Sequence, residues 1–136
     1  MNTHSFLSAL LITLLSASSA LGKPPSDIDA GSMLIGNWVV AREQYNTVHK
    51  GGGFTFKRDG TFSSYGIFAR ADEQIRIDVK GKWTIKGGIL TEELTSSSHP
   101  EIVAAGLVTR DTLLAVTNKE YRTRNERGVV QSYLRR

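Results

Sequence analysis

Cysteine is absent from this sequence. Its absence excludes a disulfide framework, a thiol nucleophile and a cysteine-ligated metal site, and it leaves no cysteine for lipid attachment. A domain without such cross-links must be held together by its own hydrophobic core. A chain of 136 residues is long enough for one such domain, which buries roughly 65% of the surface of the unfolded chain.

Charged side chains are absent from the first 22 residues. An apolar block at 6–15 precedes a run of small residues, which is the pattern of a secretory signal peptide. We predict a signal peptide over 1–22, with cleavage after Gly22 or, alternatively, after Ala20. The block is shorter than the roughly 20 residues of a membrane span. We therefore expect a secreted or periplasmic protein with no transmembrane span after cleavage, with an uncleaved anchor as the alternative.

A convincing amphipathic helix is also absent from the sequence. Residues 23–32 are polar and contain Pro24, Pro25 and Gly31, so we predict a flexible leader there. The remaining residues, 33–136, form the predicted domain. In this part the dominant period is two, and it is clearest at 75–86, where apolar residues alternate with charged and polar ones. Such alternation places the apolar side chains on one face of a strand.

Turn signals divide the domain into eight predicted strands. Asp59-Gly60 is typical of a tight hairpin, and we expect turns at 86–88, 109–112 and 125–128. The segment 96–106 is the least regular and could hold a helical turn. The predicted strands are 33–45, 52–58, 61–70, 75–86, 89–97, 102–109, 112–124 and 128–135. This pattern favours an all-β fold, a single antiparallel up-and-down β-barrel, because closing the sheet removes its edges. A small sandwich is the alternative.

Glycine precedes tryptophan by two residues at Gly36 and Trp38, and again at Gly81 and Trp83. Residues two apart on a strand face the same side. We therefore expect each glycine to bend its strand and leave room that the tryptophan occupies. Both tryptophans are interpreted as core packing.

Three motifs in order resemble those of the small bacterial lipocalin-like domains of the calycin group. They are the Gly-Asn-Trp at 36–38, the Phe-Lys-Arg-Asp-Gly-Thr-Phe at 56–62 and the Gly-Lys-Trp-Thr-Ile-Lys-Gly-Gly-Ile-Leu at 81–90. The resemblance covers residues 33–135. It implies an eight-stranded barrel that often carries a small apolar ligand. It also implies a late basic residue stacked on Trp38, for which Arg122, Arg124 and Arg135 are the candidates.

The inward-facing apolar residues are the candidate ligand site. The predicted core contains Phe62, Ile75 and Ile85 together with the predicted barrel lining, which is Trp38, Phe54, Phe56, Phe68, Ile77, Val79 and Trp83. The favoured function is that of an exported lipocalin-like domain that binds a small hydrophobic ligand, which requires a cavity of about 300 Å³ or more. The alternative is a protein-binding module, for example an inhibitor or immunity-type barrel, with no small-molecule ligand.

Residues that would carry catalysis are not grouped in the sequence. His49 and His99 are not at metal-ligand spacing and are expected in exposed loops, and His49 precedes a glycine run expected at the barrel mouth. Glu92 and Glu93 face opposite sides of a strand, so one of them is expected to point inward. No serine stands in a Gly-x-Ser-x-Gly motif. We expect no enzyme activity, no catalytic residue, no metal and no cofactor.

Basic side chains are the last notable feature, and the formal net charge is +4. Lys80, Lys82 and Lys86 share the outer face of one predicted strand with Arg76. They are interpreted as an ordinary solvated face, with docking to an acidic protein or an envelope surface as the alternative. Nucleic acid is not an expected partner, because its recognition needs outward-facing aromatic residues and those of the sheet are expected to face inward.

Overall fold

The computed structural model describes residues 25–46 and 48–136. The predicted signal peptide over 1–22 and the first two residues of the predicted leader lie outside the described residues.

Within the described residues, eight antiparallel strands close into one barrel. Each strand pairs with the next in the chain, and the last pairs with the first. The elements are helix α1 (Asp27–Leu34), strands β1 (Gly36–Val40), β2 (His49–Phe56), β3 (Thr61–Arg70), β4 (Glu73–Lys86), β5 (Ile89–Ser97), β6 (Val108–Val116), β7 (Glu120–Arg124) and β8 (Val130–Arg135), and a 3-10 turn at Arg42–Gln44. The predicted up-and-down barrel is confirmed, and the sandwich is excluded.

The two ends of the barrel are built differently. One end carries α1 and the short turns that follow β2, β4 and β6, and we call it the closed end. The other carries the connections that follow β1, β3, β5 and β7, the longest of which is segment 98–107, and we call it the open end. None of the helices in the part of the chain that the structure describes is long and apolar enough to span a membrane.

The predicted flexible leader is wrong from Asp27 onward, because these residues form α1. The Ser26 hydroxyl caps the helix by accepting a hydrogen bond from the Asp29 backbone N–H at 3.2 Å, and the acidic first turn suits the helix dipole. Ala30 and Leu34 are buried in the core, so the helix is held by packing rather than by its own propensity. The first strand accordingly begins at 36 and not at 33, and it ends at 40.

Helix α1 is tied to the closed end by one carboxylate. The Asp27 side chain accepts hydrogen bonds from the backbone N–H groups of Gly87, at 2.8 Å, and Gly88, at 2.9 Å. These glycines form the turn between β4 and β5. A charged acceptor strengthens both bonds, so the helix covers this end of the barrel.

The second strand begins at His49 and not at 52, because residues 49–51 belong to β2 and not to a mouth loop, and it ends at Phe56. Tyrosine side chains cover two of the glycines at 51–53. The Tyr65 ring lies over Gly53 on the outer face, where an added Cβ would meet it at 2.9 Å, and Tyr45 lies over Gly51. A glycine run resembles a loop in sequence, but here it makes room for rings that belong to other segments.

The sixth and seventh predicted strands are also wrong in their bounds. Residues 109–112, predicted as a turn, lie inside β6, and none of 102–107 forms a strand. The actual turn follows β6, where the Thr117 hydroxyl accepts hydrogen bonds from the N–H groups of Lys119 and Glu120, both at 3.1 Å. The polar residues at 109–112 suggested a turn, but Thr109 and Asp111 are inward-facing strand residues.

The tightly packed core fills the closed end. Trp38 and Tyr121 meet edge to face with ring centroids 4.9 Å apart, and Phe56 and Trp83 do so at 5.3 Å. Of the ten residues predicted as core, those that are buried are Trp38, Phe56, Phe62, Ile77 and Trp83. The other five are half-buried, namely Phe54, Phe68, Ile75, Val79 and Ile85.

The glycine–tryptophan pairs have a different basis from the predicted one. Each tryptophan is buried, but it does not occupy the space over its glycine. The Arg135 guanidinium lies over Gly36, while the Phe62 ring and the Glu93 carbonyl lie over Gly81. Phe62 is the cross-strand partner of Gly81. Directly opposed residues approach more closely than residues two apart on one strand, so the partner takes the space.

The seam between β1 and β8 is fastened by Arg135. Its guanidinium carbon lies 4.1 Å from the centroid of the Trp38 ring, its cross-strand partner. The same guanidinium donates hydrogen bonds to the carbonyl oxygens of Met33 at 2.6 Å, Ile35 at 3.1 Å and Asn118 at 2.8 Å. Among the candidates for the residue stacked on Trp38, the structure selects Arg135.

The space over Gly81 gives a test of the core. We expect Gly81→Ala to lower the free energy of unfolding by about 1–3 kcal/mol, because the new methyl group meets the Glu93 backbone and the Phe62 ring. Gly31→Ala is the control, since no atom lies within 4 Å of its added Cβ and alanine favours the helix by about 0.5–1 kcal/mol. Urea denaturation measures both. Equal stability of the two variants would contradict the packing at Gly81.

The Arg135 clamp gives a second test. We expect Arg135→Lys to lower the free energy of unfolding by about 1–3 kcal/mol, because one ammonium group cannot reach three carbonyl oxygens and also stack on Trp38. Arg127→Lys, at an exposed position, keeps the same charge and is expected to be neutral. Thermal unfolding of both variants is the measurement, and a neutral Arg135→Lys would show that the clamp contributes nothing.

Candidate functional site

A cavity of about 290 Å³ occupies the open half of the barrel. It arises where the inward positions of β2 and β3 change in size. Near the closed end Phe56 faces Phe62 across the two strands, whereas near the open end Gly52 faces Gly66. The Phe68 ring lies over Gly66, and the space beyond it at this end is the cavity. The barrel is therefore packed at one end and hollow at the other.

One wall of the cavity is apolar. It is formed mainly by β2, β3, β4 and β5, through Phe54, Phe68, Ile77, Val79 and Leu94. Phe54 also forms part of the floor, where its ring meets Tyr133 edge to face with centroids 5.6 Å apart. This wall and floor offer a surface from which water is displaced at a gain of about 25 cal/mol per Å².

The predicted lining residues are divided between this cavity and the packed core. Phe54, Phe68, Ile77 and Val79 line the cavity. Trp38, Phe56 and Trp83 lie deeper, among the aromatic side chains of the closed end. Contact of any of the seven with a ligand stays a prediction.

Two carboxyl groups also line the cavity, from Glu92 on β5 and Asp111 on β6. Glu92 pairs with Thr109 across the two strands, and Asp111 pairs with Leu90. The two acids are therefore diagonal neighbours on one face, with Cα atoms about 7–8 Å apart. Sequence reasoning placed one of Glu92 and Glu93 inside, and the structure selects Glu92, which is 7% exposed. It missed Asp111, which it assigned to a turn.

Both carboxyl groups hold their protons more tightly than usual. Burial, and then the nearby Asp111 charge, raise the pKa of Glu92 from its ordinary 4.5 to about 8. Burial, followed by the charge of Glu126, also raises the pKa of Asp111. Burial is likewise the main reason why the pKa of Tyr133, which lies on the floor, is raised. At neutral pH Glu92 is therefore mostly protonated, so the cavity is less negative than two free carboxylates would make it.

The histidines differ from their predicted setting. The His49 ring stacks on Phe68 at 5.2 Å with an interplanar angle of 17°, and it lines the rim of the cavity from within a strand. The prediction of an exposed loop is wrong for His49. His99 lies in segment 98–107, where its Nδ1 is 2.9 Å from the Ser98 hydroxyl.

The outer face of β4 is basic, as predicted, but it is not uniformly so. Lys80, Lys82 and Lys86 are exposed, while Arg76 pairs with Asp78 at 3.1 Å and covers the Tyr65 ring at 4.3 Å. The expectation that the aromatic residues of the sheet face inward is wrong for Tyr65. A polar groove of about 630 Å³ lies on this face.

The raised pKa of Glu92 predicts how stability depends on pH. Between about pH 4.5 and 8 the folded chain binds a proton at Glu92 that the unfolded chain does not, so the free energy of unfolding falls as pH rises through this window. We expect Glu92→Gln to abolish this fall, which amounts to up to about 5 kcal/mol. Glu93→Gln, exposed on the opposite face, is the control. Urea denaturation at several pH values is the measurement, and parallel curves for the wild type and Glu92→Gln would contradict it.

Comparison with known proteins supports the fold. No family model and no curated protein matches the sequence. Among solved structures, the barrel is similar to a lipocalin-like protein from Bacteroides uniformis ATCC 8492, with 12% sequence identity and a TM-score of 0.52. The similarity covers 76% of this chain and 99% of that chain. At this identity it shows the fold alone: the chain forms a lipocalin-like β-barrel domain.

Proposed function

We propose that this domain binds a small hydrophobic molecule in the cavity at its open end. The observation that carries the proposal is the cavity itself, whose volume of about 290 Å³ is at the lower limit for small-molecule sites. An aromatic and aliphatic wall with a few polar groups opposite is the usual composition of such sites. The volume suits a compact molecule rather than a long-chain lipid.

The open end provides the route of entry. Val103 and Leu107, from the connection between β5 and β6, line the cavity, and Leu107 is also 48% exposed. The connection is held to β5 by the Gly106 backbone N–H, which donates to the Leu94 carbonyl at 2.7 Å. Apolar side chains that lie both at the rim and in solvent suit a mouth through which a hydrophobic molecule enters.

Binding rather than catalysis is the proposed role, and the proposed location is secreted or periplasmic. The location rests on the predicted signal peptide over 1–22. The non-catalytic role rests on the sequence, which offers no nucleophile and base at the spacing of a known motif.

Docking of an acidic protein or envelope surface onto the outer face of β4 is the second candidate. The exposed row of Lys80, Lys82 and Lys86 favours it. Such docking takes place outside the barrel, so it is sensitive to bulk added on the outer face. Ligand binding in the cavity is not.

Substitutions on the two faces of β4 test the proposal. We expect Ile77→Trp, which fills the cavity, to reduce the affinity for Prodan, a small neutral fluorescent probe, at least tenfold. Thr84→Trp, on the exposed outer face of the same strand, is the matched control and should bind as the wild type does. Leu94→Phe is a second cavity variant in case Ile77→Trp folds poorly. Fluorescence titration measures binding. Absence of binding to the wild type, or equal binding by all variants, would overturn the proposal.

A further inference from the structure

The inference that follows rests on the proposed function and concerns the kind of molecule that the cavity accepts. The cavity is lined mainly by apolar side chains, with the uncharged polar residues Ser64, Thr109 and Gln131 among them, and β5 and β6 add two carboxyl groups. Among the described residues that line it there is no Lys or Arg, and the one basic side chain is His49 at the rim. The two carboxyl groups therefore face the cavity, with no Lys or Arg side chain beside them there.

Of the two acids, Glu92 is the more deeply buried. The residue is 7% exposed, and it lines the cavity. Among the ion pairs of residues 25–46 and 48–136 none involves its carboxyl group, and burial and the Asp111 charge, with no hydrogen bond, account for its raised pKa. A buried carboxyl group without a partner costs stability. Glu92 lies between Leu90 and Leu94 on the inner face of β5, where an apolar residue in its place would continue the apolar stripe.

Asp111 adds a second acceptor at the same place. The strand register makes it the diagonal neighbour of Glu92 on the inner face. Two adjacent carboxylates repel each other when both are ionised, and a cation between them removes that repulsion. A metal ion is a poor occupant, because no group of three or more His, Asp or Glu side chains suited to a metal occurs among the described residues. An organic cation requires no such ligand set.

We propose that the ligand is a small hydrophobic amine, whose ammonium group lies between the carboxylates of Glu92 and Asp111 and whose apolar body lies against Phe54, Phe68 and Ile77. An ammonium group has three donors, enough to reach both carboxylates and one further acceptor. The aromatic floor adds a face on which a cation is stabilised. The apolar wall buries the hydrophobic body of the ligand, which two acids alone would not do.

Binding of such a cation displaces the proton of Glu92. The neutral carboxyl group loses H⁺ to solvent and the carboxylate pairs with the ammonium ion, so binding releases up to one proton below pH 8. The groups that face Glu92 are Asp111, Tyr121 and Tyr133, and Glu126 faces Asp111. His49 lies at the rim. The tyrosines stay neutral at neutral pH, so affinity for the amine should rise between pH 6 and 8 with the ionisation of Glu92.

Three probes of matched shape test the inference: phenethylamine, 2-phenylethanol and 3-phenylpropanoate. We expect the wild type to bind the cation at least tenfold more tightly than the alcohol at pH 7.5, and the anion most weakly. Glu92→Gln and Asp111→Asn should each abolish the preference for the cation, whereas Glu93→Gln, exposed on the outer face, should keep it. Isothermal titration calorimetry in two buffers of different ionisation enthalpy measures affinity and released protons.

The outcomes separate this inference from the proposed function. Equal affinity for the amine and the alcohol, a preference for the anion, or an unchanged preference in Glu92→Gln overturns the inference while leaving cavity binding in place. Binding of Prodan without any binding of the amine does the same. If Prodan and all three probes fail to bind the wild type, the proposed function fails and the inference fails with it.

Discussion

The pairing of β1 with β8 is the contact on which the rest of the barrel depends. It joins three residue pairs, Trp38 with Arg135, Val39 with Leu134 and Val40 with Tyr133. A seam this short offers few backbone hydrogen bonds, and the Arg135 guanidinium supplements them by joining the end of α1, the start of β1 and the turn after β6. Only a closed sheet has an interior, so both the core and the cavity exist because this seam holds.

The interior of the barrel has a packed end, which stabilises the fold, and a hollow end. At the closed end, paired phenylalanines and the two tryptophans bury most of the aromatic surface, which a small domain without disulfides needs. At the open end, the glycines at inward positions of β2 and β3 remove side-chain volume. Because the two ends have separate residues, the open end can be hollow without loss of the packing that stabilises the fold.

Much of this architecture could be predicted from the sequence, because alternation and hairpin turns are local signals. The alternation at 75–86 and the Asp-Gly turn identified β4 and the β2–β3 hairpin correctly. The errors fell where a local signal was ambiguous. Glycines at 51–53 resembled a loop because the rings that cover them belong to other segments, and helix α1 is too short to show a period. The four lining residues on β2, β3 and β4 were predictable, but the meeting of Glu92 with Asp111 depends on cross-strand register, which no single segment encodes.

Glu92 is the residue at which the sequence departs from what the fold requires. On β5 the inward positions are Leu90, Glu92 and Leu94, and an apolar residue in the middle would extend the stripe and remove a buried, unpaired carboxyl group. A folded chain is consistent at most positions, and a costly exception at the centre of a cavity indicates a role other than stability. Asp111 strengthens this reasoning, since a second acid beside the first raises the cost further. The proposed amine would offset that cost, because its ammonium group pairs with the ionised carboxyl groups.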